Sequence, residues 1–181
     1  MSVDVVDKAF AELKSKVDTL PGTENKLTMV VLSGDWDKQL AAMIIASGAA
    51  AMGMKVVMFF TFWATSGLRA PGKRVNGKTF MGKMFGFMLP RGRDKLPLSR
   101  MNMAGIGPAL FKSLMKKGKR AGMDELWDVA GQMGVKVYIC EMSMDLMGFK
   151  KEELIDYPAL EVCGVATMLS HAKESSIQFF I

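Results

Sequence analysis

The run KVYICEMSMD, residues 136–145, ends an alternating apolar stretch on a cysteine and places a serine three residues later. The chain has only two cysteines, Cys140 and Cys163. A thiol facing a helix N-terminus has its thiolate favoured by the unpaired N–H groups and by the helix dipole. The turn SMDLMG follows directly, and its spacing predicts Ser143 as the capping residue. Bases between residues 69 and 120 would add to the positive field, while Glu141 and Asp145 would oppose it. A thiolate so placed is a nucleophile. A cysteine closing a strand is more often just a small buried apolar side chain. The position alone therefore leaves both readings open.

The elements that must hold this cysteine follow from the hydrophobic pattern. Val3 to Thr19 reads as a helix, with Val6, Phe10, Leu13 and Val17 at helical spacing. LTMVVLS (27–33) and MKVVMFFTF (54–62) are continuous apolar strands. Between them lies a small-residue helix that Asp35 is placed to cap and that ends at Gly53. Pro108 to Lys117 and Asp124 to Met133 read as helices, VKVYIC as a strand, and Lys150 to Asp156 and Gly164 to Glu174 as further helices. SSIQFFI closes the chain as a last strand. Continuous rather than alternating strands imply a parallel sheet covered on both faces. The fold class expected is α/β, three-layered and doubly wound, in a single domain spanning 1–181. Residues 1–20 form an extra N-terminal helix in this reading, and 66–100 form a basic, Met- and Phe-rich insertion.

In open parallel sheets, ligands gather beyond the carboxyl ends of the strands. Ser33-Gly34-Asp35, Thr61-Phe62-Trp63 and Cys140-Glu141-Met142-Ser143 all fall at such ends. Gly34, Asp35 and Trp63 are accordingly expected to wall a pocket around Cys140, with structural service an equal alternative for each.

Composition narrows the setting. Two cysteines cannot build a disulfide framework, and the N-terminal stretch MSVDVVDKAFAELKSK lacks an apolar secretory core, so a reducing, cytoplasmic location is expected. The stretch 39–63 has Lys55 as its sole charge, but Gly53 and Lys55 divide it into a helix and a strand rather than one membrane span. Residues 69–120 hold 14 Lys and Arg against Asp94 alone, a local +13 within a net charge of +6. Such asymmetry suits an acidic partner, an anionic substrate or a membrane surface, and equally a solvated face. The apolar bulk of Phe80, Met81, Met84, Phe85, Phe87, Met88 and Leu89 points to self-association.

Several chemistries lack their residues. No G-x-G-x-x-G follows a strand and no P-loop is present, so no nucleotide cofactor is expected. His171 is the sole histidine; eight helical residues separate it from Cys163 by roughly 12 Å, too far for a shared zinc. The 18 methionines read as core or interface filler rather than soft-metal ligands. No stacking platform for nucleic acid accompanies the bases at 80–93, and no nucleic-acid partner is expected.

LTMVVLSGDWDKQLAAMIIASGAAAMGMKVVMFFTFW, LSRMNMAGIG, VYICEMSMDLMGFKKEELID and GVATMLSHAKESSIQFFI together resemble the DsrE/DsrF-like sulfurtransferase family, in particular its larger DsrE-related branch, sometimes called peroxiredoxin-like. The resemblance runs from about Lys26 to Ile181, and the C-S-M-D-M-G pattern is its most specific part. It implies a flavodoxin-like fold, homo-oligomers (trimers or hexamers), and a cysteine holding sulfane sulfur as a persulfide. Cys140 matches the motif position. Cys163 falls where relatives often carry glycine or another small residue, leaving a second-thiol role open. The implied partners are sulfane-sulfur donor and acceptor proteins, acidic small carriers among them. Two other readings stay alongside. A thiol-dependent redox enzyme would need Cys163 within disulfide reach of Cys140, roughly 4.4–6.8 Å between Cα atoms. A non-catalytic oligomeric adaptor at a membrane surface would need neither thiol.

Overall fold

The computed structural model describes residues 24–73, 75 and 80–181, together with Glu12. The helix expected over Val3 to Thr19 lies, Glu12 apart, outside the described residues. Five strands, β1 (Glu24–Val31), β2 (Lys55–Phe60), β3 (Lys136–Cys140), β4 (Leu160–Cys163) and β5 (Ser175–Phe180), form one parallel sheet in the order β4-β3-β2-β1-β5. Among the described residues six α-helices lie between them: α1 (Trp36–Ala51), α2 (Phe80–Met88), α3 (Ile106–Lys117), α4 (Met123–Gln132), α5 (Glu141–Met147) and α6 (Val165–Glu174). This is the expected α/β fold of flavodoxin-like character. The stretch 39–63 divides as predicted, into α1 and β2, and no helix among the described residues is long and apolar enough to cross a membrane.

Each central strand is apolar on both sides because both sides are covered. Leu27, Met29, Val31, Val56, Met58, Phe60, Val137 and Ile139 face one large core. There α1 packs on α4, and Met144 and Met147 of α5 join them. Phe60, Trp127 and Tyr157 pack in series through it, with ring centroids 5.8 and 5.3 Å apart, the second pair edge to face. The alternate residues Val57, Phe59, Tyr138 and Cys140 face the opposite side, against Met168 of α6. The two faces follow from the winding. Right-handed crossovers carry the chain outward from β1 to β4 along one face, and the return to β5 must then cross the other.

His171 anchors α6 to that second face. Its ring stacks on Tyr138, with centroids 5.3 Å apart, and its Nδ1 lies 2.9 Å from Lys26 Nζ. Lys26 also donates to Glu174 at 2.7 Å. The sole histidine is thus an anchoring residue of its helix, not a member of a triad.

Two local expectations are corrected. Lys150 to Asp156 is not a helix; only Lys151–Glu153 makes a 3-10 turn. The backbone here pairs with another segment instead: Ala70 N–H donates to the Glu153 carbonyl at 2.7 Å, and Ile155 N–H to the Leu68 carbonyl at 2.9 Å. These tertiary bonds override local propensity. Asp35 does stand at the N-cap position of α1, but its carboxylate caps nothing. It accepts from Ser33 Oγ at 2.8 Å and pairs with Lys38 at 2.9 Å, which turns it away from the helix N–H groups.

Arg69, a base in the middle of the +13 segment, is completely buried beside Glu153 at 3.3 Å. Its guanidinium also donates to the carbonyls of Gly86, Leu89 and Pro90 and lies 4.5 Å from the Phe149 ring centroid. It ties the end of α2 to the segment after α5. A close glycine contact reinforces the join. Gly148 ends α5 with φ of +63°, a conformation that favours glycine, and a Cβ there would run into the Gly82 Cα of α2.

Candidate functional site

The site is built where β3 meets α5. Cys140 is the last residue of β3 and stands at the N-cap position, so α5 begins at Glu141, three residues earlier than a Ser143 cap would place it. Ser143 therefore lies inside the helix and does not cap it. Its hydroxyl is completely buried and turned to β2: Thr61 Oγ1 lies 2.9 Å away, and Phe62 N–H donates to it at 3.0 Å. Phe62 has φ of +44°, an uncommon conformation for a residue with a side chain, immediately after Thr61.

Cys140 is 5% exposed. Burial pushes its thiol pKa up, but hydrogen bonds from the Ser143 hydroxyl, the Ser143 N–H, the Thr61 hydroxyl and the Met142 N–H outweigh it. The net effect holds the thiol below its ordinary value and favours thiolate. Thr61 belongs to a strand end recognised in the sequence, yet it was Trp63, two residues on, that was expected to wall the pocket. A hydroxyl at a strand terminus was the available signal for Thr61. The Met142 and Ser143 N–H groups left no trace in residue type, because they belong to the backbone.

Cys163 ends β4 directly opposite Cys140 in the parallel register. Both side chains belong to the smaller apolar cluster on the α6 face, and Cys163 is partly exposed. Burial raises the Cys163 thiol; a Thr167 side-chain hydrogen bond lowers it, and the negative charges of ionised Cys140, Glu161 and Glu141 raise it again. The net shift is upward, the reverse of Cys140.

Gly34, Asp35 and Trp63 are gathered elsewhere. They line a hollow of about 430 Å3 with Ser33, Lys38, Ser66 and Pro97, and Cys140 is not among the described residues around it. A Cβ on Gly34 would lie 3.0 Å from the Trp63 carbonyl oxygen, so this glycine serves a close approach of β1 and β2 ends. Trp63 connects the hollow to the thiol only through the turn Phe62–Leu68, which packs on α5. Among the described residues no cluster of three His, Cys, Asp or Glu side chains could hold a metal.

A profile of the DsrE/DsrF/DrsH-like family matches residues 23–180. The chain belongs to that family. It is 45% identical over 156 residues to the uncharacterized protein YrkE of Bacillus subtilis, covering 86% of this chain and 96% of that protein. It is 33% identical over 162 residues to the sulfur carrier protein DsrE2 of Allochromatium vinosum, covering 87% of this chain and 99% of the relative. Family membership thus spans the whole sheet and both cysteines, and it leaves out the N-terminal segment that the sequence marked as an addition.

Proposed function

We propose that this member of the DsrE/DsrF/DrsH-like family is a sulfur carrier that holds sulfane sulfur as a persulfide on Cys140. The observation that supports it best is a buried cysteine that ends β3 and stands at the N-cap position of α5, one helical turn before the Ser143–Thr61 hydroxyl pair. The similarity to a sulfur carrier protein of Allochromatium vinosum points the same way. Cys140 thiolate attacks the outer sulfur of a sulfane donor, the donor's sulfur–sulfur bond breaks, and the donor leaves with its electron pair. The resulting persulfide is acidic, and the N–H and hydroxyl groups that favour thiolate also stabilise its anion. An acceptor thiolate then attacks the outer sulfur and regenerates Cys140 thiolate. Ser143, in the C-x-x-S position, donates a hydrogen bond without being able to close a disulfide, which suits a carrier. The partners in this reading are sulfane-sulfur donor and acceptor proteins, with acidic carriers matching the basic surface, and self-association covers the apolar face of α2.

The test is intact mass after treatment with inorganic polysulfide. The native protein gains one sulfur atom, roughly 32 Da, and loses it on reduction, whereas Cys140→Ser gains nothing. Serine is nearly isosteric but holds no sulfane sulfur. A native protein that never loads from several sulfane donors defeats the reading. A thiol-redox function has one observation in its favour, the Cys140–Cys163 register, and steady peroxide consumption with a dithiol reductant would bring it forward.

A further inference from the structure

Cys163 has no part in the chemistry above, yet the register sets it directly across from Cys140. Hydrogen-bonded strands lie about 4.8 Å apart, and side chains at paired positions of parallel strands stand on the same face. Both cysteines pack in the same apolar cluster, and the charge of ionised Cys140 is felt at Cys163. The two differ in position. β3 is an interior strand with Cys140 buried, whereas β4 is the sheet edge with Cys163 partly exposed.

Sulfur transfer between thiols needs a near-linear array of attacking, central and leaving sulfurs. A sulfur–sulfur bond is about 2.05 Å, so two such bonds in line, somewhat stretched, span about 4–5 Å. That matches the distance between adjacent strands, and transfer would need no backbone movement. We propose that Cys163 is a second carrier thiol, which takes the outer sulfur of the Cys140 persulfide and presents it to the acceptor at the edge of the sheet. The inference rests on the persulfide reading and deepens it.

The step balances without an oxidant or reductant. The Cys163 proton first passes to the outer sulfur of Cys140–S–S⁻, giving Cys140–S–SH and the Cys163 thiolate. That thiolate attacks the outer sulfur and forms a new sulfur–sulfur bond, while the bond to Cys140 breaks and its electron pair remains on Cys140 as thiolate. The products are Cys140 thiolate and Cys163–S–SH, with the same atoms and the same single negative charge as before. The direction follows from thiol exchange, where a more basic thiolate, once formed, is the better nucleophile and a more acidic thiol the better leaving group, so the sulfur ends on the more basic one. Cys163, shifted up, attacks; Cys140, shifted down, leaves. Thr167, whose side chain bonds Cys163, is the natural holder of the displaced sulfur's new site.

The experiment loads the full chain with inorganic polysulfide, adds glutathione as acceptor, quenches with an alkylating reagent at intervals, and maps the extra sulfur by peptide mass. The extra sulfur is expected on the Cys140 peptide first and on the Cys163 peptide later. Cys163→Ser and Cys163→Ala should both still load at Cys140 but discharge to glutathione on the order of tenfold more slowly. The proposal is overturned if the native Cys163 peptide never carries the sulfur, or if both variants discharge at the native rate. It is equally overturned if loaded protein releases sulfide and ends 2 Da lighter than the reduced chain, roughly the mass of two hydrogens, since Cys163 would then be closing a disulfide. Failure of the native protein to load at all would instead defeat the persulfide reading, so the two failures are distinct. Mapping on the native chain keeps the test decisive even if a substituted chain does not fold.

Discussion

The end of β3 and the outer surface of α2 and α3 are opposites in how they treat their side chains. At the first, a thiol, two hydroxyls and backbone N–H groups are buried and satisfied by one another. At the second, Phe87 is 91% exposed, Phe80 81% and Met88 68%, with Ile106, Leu110 and Leu114 of α3 also open. The first region is complete within one chain and reads as chemistry. The second leaves its large apolar side chains open to solvent, and in the proposed reading it is a contact face. The bases of the +13 segment divide the same way. Arg69 is buried with Glu153, Arg93 pairs with Asp124 beside Trp127, and Arg91 donates to the carbonyls of Lys73 and Gly86. Lys116, Lys117, Lys119 and Arg120 are exposed around the end of α3. Arg91 and Arg93 are thus engaged in local contacts rather than free to meet a partner.

The join between the regions should give the largest effect when broken. Glu153→Ala leaves the Arg69 guanidinium buried without its carboxylate, and breaking such a pair costs about 3–5 kcal/mol. The denaturant midpoint should fall accordingly; an unchanged midpoint would mean the regions are not coupled through this pair. Ser143→Ala acts only on the thiol region. A hydrogen bond to a charged group contributes about 1.5–3 kcal/mol, so sulfur loading at neutral pH should slow on the order of tenfold. The pH at which Cys140 becomes half-reactive to iodoacetamide should move up. The sign follows from linkage: the native Cys140 thiol is lowered, so its ionisation stabilises the fold above the ordinary thiol range, and that gain is lost as pH falls through the native value. Ser143→Ala shrinks the gain, and an unmoved reactivity profile would remove the hydroxyl from the site.

Changes on the contact region should leave chemistry and single-chain stability nearly alone. Phe87→Ser with Met88→Ser should convert the assembly to monomers in sedimentation while shifting stability by no more than about 0.5 kcal/mol. A native protein that sediments as a monomer at micromolar concentration would reverse the assignment of that face and favour an anionic lipid surface instead. The smallest effect is expected from Lys116→Glu with Lys117→Glu. Association with an acidic partner should slow several-fold at low salt and match the native rate in high salt, where screening is complete within about 3 Å. A difference that survives high salt would show that these lysines act by contact rather than by steering.

Much of the fold was legible in the order of the residues. Unbroken apolar runs such as MVV and VVMFF read as strands covered on both faces, and the small-residue run ending in Gly53 reads as a packed helix with a left-handed stop, as the structure has them. The thiol was legible too, because a cysteine at a strand end followed by a helical turn is a local pattern. Segment 150–156 was not, because its helical look is local while its bonds to Leu68 and Ala70 come from far away in sequence. Nor could Ser143 be assigned, since its partners Thr61 and Phe62 lie some eighty residues earlier and only the pairing of β2 with β3 brings them within 3 Å. The register of β3 against β4 is of the same kind. The sequence by itself determined that Cys140 ends a buried strand; only the tertiary structure decided that Cys163 ends the neighbouring one at the same height. The physical reason is that strand periodicity is a property of neighbours along the chain, whereas register is fixed by packing between elements that the chain keeps apart.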